Sequence, residues 1–438
     1  MFRSTRSFVV LASAVVAVGL AACGGDDEGS EASAIAGLDI DTCAEVEYGG
    51  DDEPAGLIVS DLPMQGDSAE RSSQQVDAIK LVLDQRDWKA GDTPVAFQAC
   101  DDSIESTGLW DAKTCRSNAE AYGDDDQVLG VIGTYNSGCA AEEIPILNKA
   151  DVAMISPGNT AVCLTEPSAT CEDGQPDSLY PGGKRNYARV VPNDAFQGAA
   201  LAEFAKRQGI EHPFVLYAAD DPTSTGQAEN FRAAAESLGL DIAGFETWDP
   251  KAKDYGDLFE QARREGSDGV VLAGLTEQNG AEVIRSKAEV LGPNRRVPLL
   301  AFDGFAQQST IDQAGHAAHE MFASVPGSAP DALSGEGAEL VDELEADFEG
   351  TPVEQFAPYA GEAAAVLLDA IDQGGTDRAA IIDAVFATQG GGGILDSYDI
   401  EPTGDPSVGP ITILQADIAF EPTDEISPAP DLVKAARG

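Results

Sequence analysis

The sequence predicts an α/β fold of two doubly wound parallel-sheet lobes joined by a hinge of crossover segments. Three observations carry this. Short apolar runs with β-branched residues alternate with helical patterns from residue 56 onward. A long loop containing Pro, Gly and two cysteines (157–186) interrupts the series, which restarts at "YARVV". A late group of helical stretches has no strands between its members, so it must dock on a sheet built earlier.

The chain begins with Arg3 and Arg6, an apolar run from Phe8 to Leu20, and small residues before Cys23. The run is too short to span a bilayer and reads as an export signal over residues 1–22. The tail Leu20-Ala21-Ala22-Cys23 resembles the bacterial lipobox, which implies lipidation of Cys23 and a mature protein tethered to the outer face of the cytoplasmic membrane. Residues 23–54 are rich in Gly, Asp, Glu, Ser and Ala, and their low hydropathy and self-repelling charge predict a flexible acidic tether. About thirty such residues reach on the order of 30 Å.

Next come the strands and helices. "GLIVSDL" precedes a helix with Val76, Ile79, Val82 and Leu83 on one face. "PVAFQA" precedes a helix near 113–123, "VLGVIG" one from about 139, and "VAMIS" follows. After the loop, "YARVV", "PFVLYA", "DIAGFET", "GVVLAG" and "VPLLAF" alternate with helices over 194–208, 226–239, 254–265 and 277–291. Strands alternating with helices mean right-handed βαβ units. Three helical stretches follow (335–349, 359–373 and 377–387), the second with Tyr359, Ala363, Val366, Leu367, Ala370 and Ile371 at helical spacing. "GILDSYDI" and "ITILQADIAF" read as strands. The late helices send the chain back to the first lobe and the last strands return it to the second. The lobes are then 55–190 plus 328–404 and 191–327 plus 405–438, with crossovers near 190, 327 and 405. In open α/β sheets ligands sit beyond the carboxyl ends of the strands, so a cleft between two such lobes can present both sets of loops to one ligand.

Composition excludes several functions. The 438 residues carry a net charge of −51, which argues against binding the phosphates of nucleic acid. It also opposes contact with anionic lipid except through a covalent or inserted anchor. Six cysteines remain after Cys23, an even number that suggests disulfides in an exported protein. Cys163 with Cys171 closes a short loop, and Cys100 with Cys115 flanks one strand-to-helix connection. Cys43 and Cys139 are left for each other. Of the three histidines, His316 and His319 could share a helical face but lack the companions of a metal site. "QGGGGIL" (389–395) lacks the strand before it and the Lys after it that a phosphate loop needs. No nucleophile-elbow Ser motif occurs. The sequence reads as neither an enzyme nor a cofactor or metal protein.

Binding is better served. In "GVIGTYNSGCAAEEIPIL" (130–147) a strand turns into a helix through Asn136, Ser137 and Gly138, offering a hydroxyl and backbone N–H groups suited to an anion. One strand later, "SPGNTAVCLT" (156–165) offers Gly158, Asn159 and Thr160. "DDPTSTG" (220–226), "GLTEQNG" (274–280) and "AFDGFAQQ" (301–308) follow strand ends in the second lobe. Each loop alone reads first as an N-cap or turn, since Ser, Thr, Asn, Asp and Gly favour those positions. Their joint placement on the carboxyl side of the strands points to a binding site.

From about Gly56 to Phe420 the chain resembles type 1 periplasmic binding proteins of the leucine/isoleucine/valine-binding branch, the substrate-binding lipoproteins of ABC importers. "DLPMQGDSAE" is similar to that family's "PMSG" loop. "VIGTYNSG" with "MISPGNTAVCLT" resembles its paired Ser and Thr loops, and "KAKDYGDLFEQARREGSDGVVLAG" its later helix–strand run. The resemblance implies that Ser137 and Thr160 hold a ligand α-carboxylate, that Gly158 offers its carbonyl, and that Asp303 receives an α-ammonium. Thr225 and Leu275 fall where the family places aromatic contacts, and Arg71 where a Tyr lines the pocket. The expected ligand is therefore small, polar and amino-acid-like, with a side-chain pocket altered from the branched-chain type. The expected partners are the permease subunits of an importer. The alternative is a sensor reporting to a membrane receptor, with an amide or carboxylate as ligand.

Overall fold

The computed structural model describes residues 35–104, 106–348 and 351–438. The expected signal segment, Cys23 and the first part of the tether lie outside these residues.

The first sheet is built from β1 (Gly56–Leu62), β2 (Lys89–Ala90), β3 (Thr93–Asp101), β4 (Val128–Gly133), β5 (Ala153–Ser156) and β6 (Tyr187–Arg189) in the order β2-β3-β1-β4-β5-β6. All neighbours are parallel except the short β2–β3 hairpin. The strand "YARVV", which opens the second series in sequence, is thus the last strand of the first sheet. Three helices follow strands here: α1 (Ala69–Gln85), α2 (Ala112–Asp124) and α3 (Ser137–Lys149). β1 and β4 are buried along their whole length, as strands covered on both faces must be.

The second sheet contains β7 (Pro213–Ala218), β8 (Gly244–Trp248), β9 (Gly269–Ala273), β10 (Leu299–Ala301) and β11 (Phe322–Pro326), interleaved with α4 (Asp194–Arg207), α5 (Pro222–Ser237), α6 (Gly256–Arg264), α7 (Gly280–Leu291) and α8 (Gln308–Ala314). The chain then returns to the first sheet with α9 (Glu336–Asp347), α10 (Ala357–Gly374) and α11 (Arg378–Val385). α10 packs along α1, and Tyr359, Ala363, Val366, Leu367, Ala370 and Ile371 are all buried. Complete burial of Leu367 alone stabilises by about 1.5–3 kcal/mol.

The last strands, β12 (Ile411–Ala416) and β13 (Phe420–Ile426), extend the second sheet beyond β11, and α12 (Pro430–Arg437) packs on α4 and α5. The full order is β13-β12-β11-β10-β9-β7-β8. β11–β12 and β12–β13 are antiparallel, so the second sheet is mixed. "ITILQADIAF" is a strand, a turn and the start of the next strand rather than one run. "GILDSYDI" forms no strand; it makes only the isolated bridges Gln389–Asp399 and Ile400–Pro406. Its apolar residues Ile394, Tyr398 and Ile400 are buried all the same. Burial without a ladder explains why its pattern looked strand-like.

Two expectations need correction. Residues 35–54 are not a free tether: Glu47 exchanges backbone hydrogen bonds with Phe97, and Ala44 N–H donates to Ala99. Ile35, Leu38, Ile40, Val46 and Tyr48 pack against the first core, so the segment covers the exposed edge of β3. An acidic average composition hid these spaced apolar residues. The second correction follows from the first. With Cys43 on the edge of β3 it is bonded to Cys100, and Cys115 on α2 is bonded to Cys139 on the adjacent α3. The expected pairs Cys100–Cys115 and Cys43–Cys139 are absent, whereas Cys163–Cys171 is formed.

Candidate functional site

β4 ends at Gly133 and α3 starts at Ser137, with Asn136 as its N-cap residue in an extended conformation. The Asn136 side chain makes no capping bond, so the first N–H groups of α3 are left for another acceptor. Ser137 Oγ, almost fully buried, accepts the backbone N–H groups of Thr160 and Ala161, each at 3.1 Å. Both of those bonds use the oxygen as acceptor, so the hydroxyl proton stays available to a ligand oxygen.

The 156–160 turn is tied in place from beneath. Ser156 Oγ donates to Thr134 O at 2.8 Å and accepts from the N–H groups of Gly158 and Asn159. Arg189, fully buried, donates to Asn159 O and Ala161 O and pairs with Asp405 at 2.8 Å. Gly158 is required by close approach: a Cβ there would lie 2.7 Å from the Tyr135 ring.

The facing wall comes from the second sheet. Asp303, just beyond β10, accepts from Gln197 Nε2 at 2.9 Å and Gln227 Nε2 at 3.0 Å. The same amides reach Asp194 Oδ1, at 3.2 Å each, so two buried carboxylates share two neutral donors. Burial, with the charge of Asp303 next, pushes the Asp194 carboxyl up to about 8. Burial also pushes Asp303 above its usual range. A pair of carboxylates held this way favours a cation beside it.

These walls meet. Asn136, Ser137, Gly158, Thr160, Leu275 and Asp303, all expected ligand contacts, line one cavity of about 30 Å³. Gly138 and Gly274 complete it together with Trp110, Tyr135, Asp221, Thr223, Ser224 and Gln227, six side chains that sequence reasoning missed. "DDPTSTG" was recognised as a site loop, but which of its residues face inward was not legible. Thr225 does not line the cavity; its hydroxyl donates to Asp221 O within the first turn of α5. Asn159 points into the protein, donating to Tyr135 O and accepting from Tyr187 Oη. Arg71 stands behind the wall, its guanidinium 3.8 Å over the Tyr135 ring and donating to Gln307 Oε1 of the other lobe. Trp110 and Asp194 carried no periodic or motif signal that marked them.

Among the described residues, the one group of three potential metal ligands in mutual reach is Asp102, Cys115 and Cys139, and both sulfurs are joined in a disulfide. His319 is bound up with Asp417 and Glu320 at the surface. Among the described residues no helix is long and apolar enough to cross a membrane.

The family model described as "periplasmic binding protein" matches residues 60–407. A Leu/Ile/Val-binding protein homolog of Brucella abortus is 23% identical over 295 residues, covering 66% of this chain and 72% of that protein. Among solved structures, a leucine-binding protein from Thermotoga maritima superimposes with a TM-score of 0.73 at 22% identity, covering 86% of this chain and 99% of the other. A branched-chain amino acid transporter substrate-binding protein from Streptococcus pneumoniae, solved with isoleucine, gives 0.71 at 17% identity over 85% of this chain and all of the other. A solute-binding protein of an ABC transporter from R. palustris, solved with 4-hydroxybenzoate, gives 0.70 at 14% identity over 86% of this chain and 98% of the other. With two α/β lobes, a polar interlobe cavity and a family model matched over most of its length, the chain belongs to the periplasmic binding protein family, the extracytoplasmic solute-binding components of transporters rather than enzymes.

Proposed function

We propose that the protein is a lipid-anchored solute-binding protein that captures a small amino-acid-like ligand between its lobes and delivers it to an ABC importer. One observation carries the reading: uncommitted donors at the start of α3 and the buried Asp303 carboxylate line the same cavity from opposite lobes. Ser137, Thr160 and the α3 N–H groups receive the ligand carboxylate or carbonyl oxygen. Asp303, supported by Asp194, receives its ammonium. The local field of a helix start outweighs the distant acidic surface, whose charges are screened within about 8 Å at physiological salt. The lipobox-like sequence before Cys23 supports anchoring.

A second reading replaces the amino acid by a carboxylate or amide without an ammonium, in a transporter or a sensor. It is favoured by the neutral Gln197 and Gln227 donors already serving Asp303, and by the 4-hydroxybenzoate bound to the relative from R. palustris. A thermal-shift screen of amino acids, amides and small carboxylates decides, because a ligand selective for the folded state raises its melting temperature. Stabilisation by carboxylates alone would refute the amino-acid reading. Co-purification of the protein with permease subunits, in membranes loaded with the active ligand, tests delivery against sensing.

A further inference from the structure

The anchoring cavity has a neighbour. A second cavity, of about 170 Å³, shares Trp110, Ser137, Gly138 and Thr223 with it and lies between α3 and α5. It adjoins the first cavity at these shared residues, whereas Leu275 and Asp303 line only the first. It runs to the turn closed by the Cys163–Cys171 disulfide. The first cavity, at about 30 Å³, has room for little beyond the polar ends of a ligand. Any further bulk attached beyond the ligand's carbonyl enters the second.

The walls of the second cavity select what can enter. Ala161, Val162, Leu164 and Pro222 make it largely apolar, while its acidic lining residues are Glu142, Glu172 and the proton-retaining Asp194, with no Lys or Arg in the lining. A ligand carrying a free carboxylate into this space would meet the carboxylate of Glu172, a Glu142 already paired with Arg116 at 2.6 Å, and no lining cation to balance its charge. A neutral amide N–H would instead find acceptors beside an apolar surface. We infer that this cavity is a subsite for the continuation of the ligand, and that the preferred ligand class is an α-amino amide whose amide nitrogen bears an apolar group. The inference rests on the anchoring role proposed for Ser137 and Asp303: the ammonium stays at Asp303, the amide carbonyl takes the donors at Ser137, and the nitrogen substituent fills the space beyond.

Gly226 of α5 supplies the test, because a Cβ there meets nothing closer than Thr170 Oγ1 at 3.7 Å. Gly226→Phe plugs the cavity without touching the anchoring residues, and Gly226→Ala controls for the backbone change. Calorimetric titration compares free L-amino acids, the matching dipeptides ending in leucine, and the same dipeptides as leucinamides. The expected result is leucinamides binding at least about tenfold tighter than free amino acids or carboxylate-ended dipeptides. That gain should be lost in Gly226→Phe and kept in Gly226→Ala, with the free amino acids unaffected. Free amino acids binding best, with no change in Gly226→Phe, would overturn the subsite while leaving the anchor standing. Binding by none of the three classes would overturn both. Loss of all binding in Gly226→Phe with an unchanged melting temperature would show that the plug reaches the anchor, and would overturn the separation of the two cavities.

Discussion

Asp303→Asn should move stability and binding in opposite directions. Asp303 and Asp194 are both buried, accept hydrogen bonds from the same two glutamine amides, and are hydrogen-bonded to no Lys or Arg. Without ligand, the Asp303 charge in this water-poor site helps force Asp194 to keep its proton, and replacing Asp303 by a neutral isostere relieves this. The gain should be about 0.5–2 kcal/mol, the usual yield of relieving a functional compromise. With an ammonium-bearing ligand the same change removes a charge-assisted contact worth about 1.5–3 kcal/mol, or roughly 10- to 150-fold in affinity. The pH dependence sharpens the test. Asp194 titrates at about 8 when folded against an unfolded value of 3.8, so between these limits the folded state holds the extra proton. Stability contributed by this group is therefore lost as pH rises through that window, by up to about 1.4 kcal/mol per pH unit. In Asp303→Asn the charge opposing Asp194 is gone, so its pKa falls and the decline becomes shallower. Urea unfolding of ligand-free protein at about pH 6 and about pH 8, with calorimetric titration of the ligand, measures all three effects. A variant less stable than wild type that keeps full affinity would refute the reasoning.

Further outcomes can be stated more briefly. Gly158→Ala should weaken ligand binding and lower stability, since its Cβ at 2.7 Å from the Tyr135 ring displaces a cavity wall; calorimetry and thermal melts check it. Non-reducing peptide mapping should recover Cys43–Cys100, Cys115–Cys139 and Cys163–Cys171, and Cys43→Ser with Cys100→Ser should cost about 2–5 kcal/mol by releasing the N-terminal edge segment. Cys23→Ala should move the protein from the membrane pellet to the soluble fraction without changing its melting temperature; retention in the pellet would count against lipidation. Small-angle scattering should show a smaller radius of gyration at saturating ligand, the signature of lobe closure.

The elements that sequence made legible are those where pattern and burial coincide. β1, β4, β7 and β9 are short, apolar and followed by helices, and α10 shows its packed face in the spacing of its apolar residues. The failures have physical causes. The segment around Cys43 joins the sheet edge through only a few apolar residues set among acidic ones, so window composition read it as a tether. Two of the three disulfides then differ together, because contact across the sheet edge and between α2 and α3 decides them rather than proximity along the chain, which does fix Cys163–Cys171. Residues 394–400 bury their apolar side chains from a loop, where burial no longer implies a strand.

The site shows the same division at finer grain. Loops at the carboxyl ends of strands are a topological consequence, and all five candidate loops were visible in sequence. Which residue of each loop faces the cleft depends on local hydrogen bonding that periodicity does not encode. Thr225 closes the first turn of α5 on Asp221 O, and this turns Ser224 and Gln227 toward the cavity instead. Asn159 spends its amide on Tyr135 O, which holds the turn that brings Thr160 N–H to Ser137. Arg71 stacks on Tyr135 and reaches Gln307 across the cleft, so its charge acts on the ligand through the position of that ring. Each residue that turns away from the cavity holds one that faces it. Affinity in this cleft therefore depends on two sets of residues, and substitutions in the supporting set should weaken ligand binding and folding together, whereas Asp303→Asn separates them.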